Sequence, residues 1–591
     1  MKSNSEIENI IYDFNHGKIE GAFFQISKLI KKHPDNLEFL YLYAKMCNQV
    51  NRLDESEKVS LFLVSKNTNS VEYLINLYST YLKKNNISKS ELLIKKILQI
   101  DNKNYVAQRD LGYIEYLKGN IESAHITFKK IVNKKTTDPF ALNIFGLVFL
   151  KKNLFQDAIN FFNQAISHNP KYIDSYNNLG KAYYDLEDLD RAFIFFKKAY
   201  KINKNNSKTL INIGNFLSLR DKNFCAVKAY KKALSNDPNN IDIYSNIGLA
   251  YARGRDFENT KKYYEIAKKN NCVSPSLNLS MSYLYIYKNK FERAWDLFES
   301  RKFTRKFKHK ESLLSKASLA KKETIINKKI LVLREQGIGE EILFSSMYKE
   351  LINLNNNLKI ETDSRLIKIF ERSFQNKVFV KDGYYSKKKE VFKNFDSVIF
   401  AGSLCAFFRK NKKDFLKIPY LVADQKKVEE IKENQIFSLQ KLKIGLSWKS
   451  VVSVYGRLKS LKLADFAPLI KKERQFINLQ YGEVEEEINL DKNKNFKLYS
   501  FDKIDLFNDL EGLMSILKNI DVFVTVSNST AHIAAAMGIK TILICPKKSS
   551  TYFYWSNEKN ITPWYKNVEI FQPDESLGLT ISKIDKVLNS L

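Results

Sequence analysis

Asn177-Asn-Leu-Gly180-Lys-Ala-Tyr-Tyr-Asp-Leu-Glu-Asp-Leu-Asp-Arg-Ala192-Phe-Ile-Phe-Phe196 carries the pattern that decides the first half of the fold. Its glycine recurs at a fixed interval of 34 residues as Gly112, Gly146, Gly180, Gly214 and Gly248, and its alanine as Ala124, Ala158, Ala192 and Ala226. The same register places Ala22 and Ala294 at the alanine position, and Ala165, Ala199, Ala233 and Ala267 seven residues on. Pro34, Pro170 and Pro238 fall at the end of their units. Small residues at this spacing let two antiparallel helices approach closely. Aromatic rings such as Phe162, Phe196 and Tyr230 fill the space between them, and proline stops the second helix.

These residues resemble the tetratricopeptide repeat, and the register runs without insertion from residue 3 to residue 308, which makes nine units. In the first three the glycine is replaced, for example by Ala44. The resemblance implies an all-α right-handed superhelix, stabilised by contacts between neighbouring units and offering a concave face. The sixth position of each unit, which in this family points to that face, reads Asn76, Asp110, Ile144, Asn178, Asn212, Asn246 and Ser280. A ladder through Asn178, Asn212 and Asn246 could donate to and accept from the backbone of an extended acceptor peptide or protein partner. Asparagine also serves packing at this position, and both readings stand.

Composition narrows the class of the whole 591-residue chain. With 44% hydrophobic residues it can bury a core in each of three or four domains, which excludes disorder and collagen-like structure as overall readings. Its cysteines are far apart, odd in number and without a C-x-x-C pair, so neither a disulfide framework nor a zinc site is indicated, and a reducing compartment is expected. Met1–Asp13 carries Glu6, Glu8 and Asp13 where a signal peptide needs a basic start and an apolar core, and no apolar run is long enough to span a membrane. A cytoplasmic protein is the expectation.

The net charge of +32 is spread along both halves rather than focused in one footprint, so no nucleic-acid partner is expected. The densest basic run, Arg301–Lys310, reads as a solvated junction, although an acidic acceptor or a lipid headgroup at a membrane surface could use it. A basic linker is expected over 309–327.

Beyond it the period changes. Strand-like runs at Lys328–Leu333, Leu358–Glu361, Lys377–Val380 and Ser397–Ala401 alternate with helical patterns. A second set follows at Lys443–Trp448, Phe476–Gln480, Val522–Val526, Thr541–Cys545 and Val568–Phe571. This alternation predicts two α/β lobes with parallel sheets, at 328–425 and 440–591, whose ligands lie beyond the carboxyl ends of the strands.

Three loops at such ends stand out. Gly337-Ile-Gly339-Glu340-Glu341 opens a helix with two carboxylates, which would repel a pyrophosphate. The helix dipole keeps these acids ionised, as a general base requires, although glutamate is common in a first helical turn for stability alone. Ser527-Asn528-Ser529-Thr530-Ala531-His532 gathers hydroxyl and amide side chains at a helix start, an uncharged anion cradle that exceeds what one N-cap requires. His532 alone reads equally well as a structural histidine. Ser447-Trp448-Lys449-Ser450 offers a lysine that could offset phosphate charge.

An ordered set of motifs then resembles the heptosyltransferase-like glycosyltransferases (glycosyltransferase family 9), in the branch fused behind tetratricopeptide repeats. These are Glu335-Gln-Gly-Ile-Gly-Glu340, Glu361-Thr-Asp-Ser-Arg-Leu366, Glu371-Arg-Ser-Phe374, Gly402-Ser-Leu404, Pro419-Tyr-Leu421, Gly445-Leu-Ser-Trp448, Leu479-Gln480, Ser529-Thr-Ala-His-Ile-Ala-Ala535 and Pro563-Trp-Tyr565. The likeness spans about residues 328–572. It implies a GT-B fold of two Rossmann-like lobes, with the acceptor side on the first and a nucleotide-diphosphate sugar held by the second, and a C-terminal helix that packs back on the first lobe. By the same resemblance Glu340 stands where the family carries a proposed aspartate base. Trp448, Lys449, Ser450, Gln480, Ser527, Asn528, Ser529, Thr530 and His532 would then line the nucleotide-sugar site.

No cofactor is expected beyond the nucleotide sugar itself. No metal is expected either, because the one Asp-x-Asp triplet, Asp188-Leu-Asp190, lies in the repeats. The rival expectation is a non-catalytic scaffold with a degenerate transferase-like module.

Overall fold

A computed structural model describes residues 2–132, 137–304, 313, 317–335, 337–387, 393–450, 456, 459–492, 498–546, 553–555, 560–572 and 576–591. The chain divides into two compact units, Met1–Ile213 and Gly214–Leu591, and the division falls inside the helix Ser207–Leu219.

Among the described residues of the first unit six helix pairs follow one another, from Lys2–Asn15 with Ile19–Lys32 to Ile173–Asp185 with Leu189–Ile202. The first three repeats, which lack the glycine, form helix pairs like the rest. Where glycine is present its reason is visible. A Cβ built on Gly146 would lie 2.5 Å from the Phe162 ring, and one on Gly180 would lie 2.5 Å from the Phe196 ring. The aromatic side chain occupies the space a methyl group would need, so glycine and ring act as one fitted pair. The expected prolines lie just past the second helices, Pro34 beyond Lys32 and Pro170 beyond His168.

A second periodic constraint sits in the turn between paired helices. Gly17, Asn51, Asn85, Gly119, Asn153 and Glu187 all have positive φ, and they too are 34 residues apart. The tight reversal demands one left-handed residue, which glycine and asparagine adopt at low cost and glutamate does not.

The second unit begins within the seventh repeat and continues through Asp242–Arg253 with Phe257–Lys269 and Pro275–Tyr287 with Phe291–Phe298. Two parallel sheets follow. The first consists of β1 (Ala317–Ser318), β2 (Ile330–Leu333), β3 (Leu358–Thr362), β4 (Phe379–Lys381) and β5 (Ser397–Phe400), in the order β1-β5-β2-β3-β4. The second consists of β6 (Leu442–Ser447), β7 (Arg474–Asn478), β8 (Leu498–Tyr499), β9 (Val522–Val526), β10 (Thr541–Ile544) and β11 (Val568–Phe571), in the order β11-β10-β9-β6-β7-β8.

The strand order reverses between β2 and β5 in one sheet and between β6 and β9 in the other, and at such points the loops diverge and leave a crevice. The sequence pattern anticipates nine of these strands; β1 and β8 are two-residue edge pairings too short to show alternation. Fully buried strands such as the all-apolar β2 and the largely apolar β9 are what sheets covered on both faces require.

The C-terminal helix Leu577–Asn589 packs on the second lobe, not the first. Ile581, Ile584 and Leu588 join Ile444, Phe466 and Val524 in one core, and Arg474 bonds Asp585 at 2.6 Å. The basic run is not uniformly solvated, since Arg301 and Lys302 are buried in ion pairs; Arg305–Lys310 lie outside the described residues. Among the described residues no helix is long and apolar enough to cross a membrane.

The fitted glycine–ring pairs generate a test. Gly180→Ala is expected to cost about 1–3 kcal/mol through overpacking. Gly21→Ala, where nothing lies within 4 Å of the new methyl group, is expected to gain about 0.5–1 kcal/mol within its helix. Parallel thermal melts of the two variants read the contrast, and a Gly180→Ala protein that melts with the wild type contradicts the steric account.

Candidate functional site

The carboxyl ends of β6, β7 and β9 bring most of the expected site residues into one hydrogen-bonded group. Gln480, two residues past β7, is its hub. Its Oε1 accepts from Ser447 Oγ at 3.0 Å, from the Trp448 backbone N–H at 2.9 Å and from the Lys449 backbone N–H at 2.7 Å. Its own Nε2 donates to the Tyr481 carbonyl at 2.7 Å. A buried amide with its carbonyl and amino groups engaged has a fixed orientation, so it pins the chain after β6 to the chain after β7.

Asn528 extends the group across the switch point. It N-caps the helix Ser529–Ala536 by accepting from Ala531 N–H at 3.0 Å, and its Nδ2 donates to Ser447 Oγ at 2.8 Å. The indole of Trp448 is buried and donates to Glu487 at 3.1 Å, while Lys449 forms an ion pair with the same carboxylate. Burial works against ionisation of Glu487, but its bonds from Lys449, Leu463 N–H and Trp448 outweigh that and hold its pKa below the ordinary value. Ser450 donates its backbone N–H to Ser460 Oγ at 3.0 Å.

The rest of the Ser527–His532 loop lies against an aromatic wall. Ser527 Oγ accepts from Trp555 Nε1 at 2.9 Å. The His532 ring stacks on Trp555 with centroids 4.4 Å apart, and its Nδ1 shares a 2.9 Å hydrogen bond with the Tyr565 hydroxyl. Burial, assisted by the charge of Lys459, pushes the His532 pKa down to about 3, so the ring is neutral at physiological pH. Ser529 Oγ lies 3.4 Å from the Tyr481 hydroxyl. Thr530 is buried, and its hydroxyl has no hydrogen-bond partner among the described residues.

Facing this loop, the helix Ile338–Ser345 of the first lobe carries Glu340 in its first turn. A Cβ on the adjacent Gly339 would lie 2.9 Å from the His532 ring and 3.6 Å from the Ser529 Cα. The two helix starts therefore touch, and Glu340 is half-buried beside that contact. Its neighbour Glu341 points into the lobe instead. Burial raises its pKa although Arg334 bonds it at 2.7 Å, and Thr362 and the Asp363 N–H also donate to it.

Among the repeat asparagines, Asn178 is buried and donates to Asn143 Oδ1 at 2.9 Å, and Asn212 donates to Asn177 Oδ1 at 3.2 Å. Both amides link one repeat to the preceding one. Asn246 is half-buried on its helix. Asp188 of the Asp-x-Asp triplet caps its own helix and pairs with Arg191. Among the described residues no group of three or more His, Cys, Asp or Glu could hold a metal ion.

Sequence reasoning missed Lys459, Glu487 and Trp555. A lysine stands out poorly in a chain with 97 Lys and Arg, but tryptophan occurs only 4 times, and that rarity could have directed attention to Trp555.

With this geometry in view, the family comparisons concern the repeats. A profile described as TPR repeat matches residues 146–187 and 225–253, and a second, described as tetratricopeptide repeat, matches 173–206. Protein FlbA of Caulobacter vibrioides is 21% identical over 520 residues, covering 83% of this chain and 84% of its own length. That coverage is more than the repeats could supply, so the likeness extends into the α/β half. The BBSome complex member BBS4 of Bos taurus is 22% identical over 324 residues, 46% of this chain and 62% of its own. Among solved structures, the APC/C hetero-tetramer Cut9–Hcn1 aligns over 45% of this chain and 52% of its own, with 14% identity and a TM-score of 0.38.

The neutral, buried His532 gives a pH prediction. The folded ring resists protonation down to about pH 3, whereas the unfolded one takes up a proton near its ordinary value of 6.5. Between these values the unfolded chain binds more protons, so stability falls as the pH drops. Denaturant midpoints at pH 7.5 and pH 5 should show a smaller loss on acidification in His532→Gln than in the wild type. An identical loss in both contradicts a buried neutral ring.

Proposed function

We propose that the chain is a glycosyltransferase that moves a sugar from a nucleotide-diphosphate donor to a hydroxyl acceptor recruited by its protein-binding repeats. The observation that carries the reading is the meeting of two helix starts across the lobes. One bears a carboxylate, Glu340. The other bears Ser529, Thr530 and the Asn528 cap, with Lys449 and the buried Lys459 nearby in the same lobe.

Each part has a chemical role in transfer. Glu340 would take the proton of the acceptor hydroxyl as its oxygen attacks the anomeric carbon. The departing diphosphate needs donors and positive charge, which the helix start, Ser450, Ser527–Thr530 and the lysines supply without a metal. The unspent Thr530 hydroxyl is a donor still to be used. Lys449 is held by Glu487, so a phosphate there would compete with that carboxylate. Trp448 and Gln480 are buried and shape the site from beneath; Ser527, Asn528, Thr530 and His532 are buried as well, so Lys449, Ser450 and Ser529 are the expected site residues that keep exposed surface. The GT-B arrangement and the heptosyltransferase-like family are part of this proposal, supported by two parallel sheets with facing carboxyl-end loops.

The second reading is a scaffold in which the repeats bind a partner and the α/β half only supports them. The hydrogen-bonded state of most site side chains favours it, because a spent side chain is not offered to a ligand.

Release of nucleoside diphosphate from a panel of ADP-, UDP-, GDP- and dTDP-sugars, with cell lysate as acceptor, separates the two. One donor should be turned over, and Glu340→Gln should slow it by about 100-fold or more, the scale of a lost general base. No turnover of any donor, or full activity in the Gln variant, overturns the reading.

A further inference from the structure

The ninth repeat does not end as a solvent-facing cap. Its last helix, Phe291–Phe298, runs into the 3-10 turn Glu299–Phe303, and this turn buries Arg301 inside the first lobe. Arg301 donates to Glu335 through Nε at 2.6 Å and Nη2 at 3.1 Å, and Nη2 also reaches Ser403 Oγ at 3.1 Å. Glu335 accepts as well from the Gly402 N–H. It opens the loop after β2 that leads to the helix carrying Glu340. Phe298 meets Phe344 of that helix edge-on at 6.4 Å, and Trp295 Nε1 donates to the Arg409 carbonyl at 2.6 Å.

The same repeat also reaches the second lobe. Tyr283 stacks on Phe553 with centroids 4.9 Å apart and planes 13° from parallel, and Phe298 meets the same Phe553 ring at 5.3 Å. Phe553 begins the buried turn Phe553-Tyr554-Trp555, whose Trp555 stacks on His532 and donates to Ser527. One repeat thus holds the loop before Glu340 with one arm and the wall behind Ser527 and His532 with the other.

We propose that the ninth repeat is a strut across the cleft, and that Tyr283 and Arg301 are positioning residues for the two sides of the site. The arms differ in kind. Tyr283 acts on the donor side through Phe553 and Trp555; Arg301 acts on the side of the base through Glu335. What the strut positions rests on the transferase reading, whereas the strut itself does not.

The experiment uses the full chain and needs no substrate for its first part. Hydrogen exchange followed by mass spectrometry is compared for wild type, Tyr283→Ala and Tyr283→Phe. The Ala variant should exchange about tenfold faster in the helix Ser529–Ala536, with β3 unchanged, and the Phe variant, which keeps the stacked ring, should match the wild type. Unchanged exchange at Ser529–Ala536, or uniform loosening of the whole α/β half, overturns the strut.

The second part uses whichever donor the wild type turns over. Tyr283→Ala should raise the donor KM about tenfold with kcat nearly constant, while Arg301→Lys should lower kcat about tenfold with KM nearly constant. If Arg301→Lys does not fold, Ser403→Ala, which removes one of the guanidinium's bonds, gives the milder form of the same split. Equal changes of both parameters in both variants overturn the assignment of the arms. If no donor is turned over by the wild type, the transferase reading fails, and the exchange result alone decides the strut.

Discussion

A guanidinium and a carboxylate buried side by side are costly to desolvate, and the second unit is built around one such pair, Arg301 with Glu335, each about 1% exposed. Burial alone would weaken the hold of Arg301 on its proton, but the charges of Glu335 and Glu299 and the bonds to them raise its pKa instead. The remaining acceptor capacity of Glu335 goes to the Gly402 N–H, where a side chain would collide, since a Cβ would lie 2.7 Å from the carboxylate. Three segments distant in sequence are therefore locked: the end of the repeats, the loop after β2 and the loop after β5. Losing Arg301 would leave Glu335 an uncompensated charge in the core, worth about 3–5 kcal/mol, whereas losing Glu335 would leave Arg301 paired with Glu299 alone. The lock lies just before the helix Ile338–Ser345, whose Gly339 meets His532.

The two halves of the chain are held by different kinds of constraint. In the repeats each unit repeats one local solution, a ring against a glycine and one left-handed turn residue, so stability accumulates by neighbour contacts. In the α/β half the decisive contacts are made once only, between loops at the ends of strands. The Gln480 hub and the Asn528 cap show the difference. Neither repeats, and each ties together segments tens of residues apart.

That difference explains what the sequence reveals. A 34-residue period is visible because the same steric demand recurs, and it extends to the degenerate first units, where the glycine is lost but helix pairing is kept. Gly17, Asn51, Asn85, Gly119 and Asn153 carried a second periodic signal in plain view, the left-handed turn. Buried parallel strands show as apolar runs, so nine of the eleven strands among the described residues were legible. The two-residue edges β1 and β8 have no pattern to read. The partners of singular contacts cannot be inferred from composition, and so Arg301 and Lys302 read as solvated, and the C-terminal helix was expected on the first lobe. The Ser527–His532 loop was legible as a cluster of capping residues, but not the aromatic wall of Trp555 and Tyr565 that holds it. Lys459 was hidden by the abundance of lysine around it.

In a transferase of the proposed kind, the crevice at the β6–β9 switch point receives a diphosphate. Calorimetric titration of the full chain with ADP, UDP, GDP, CDP and dTDP tests it without any acceptor. Saturable binding of at least one of them is expected, weakened by about tenfold when Lys459→Met removes the buried cation beside His532, as the loss of a charge-assisted contact would do. No heat of binding from any nucleoside diphosphate, or binding that Lys459→Met leaves untouched, would contradict it.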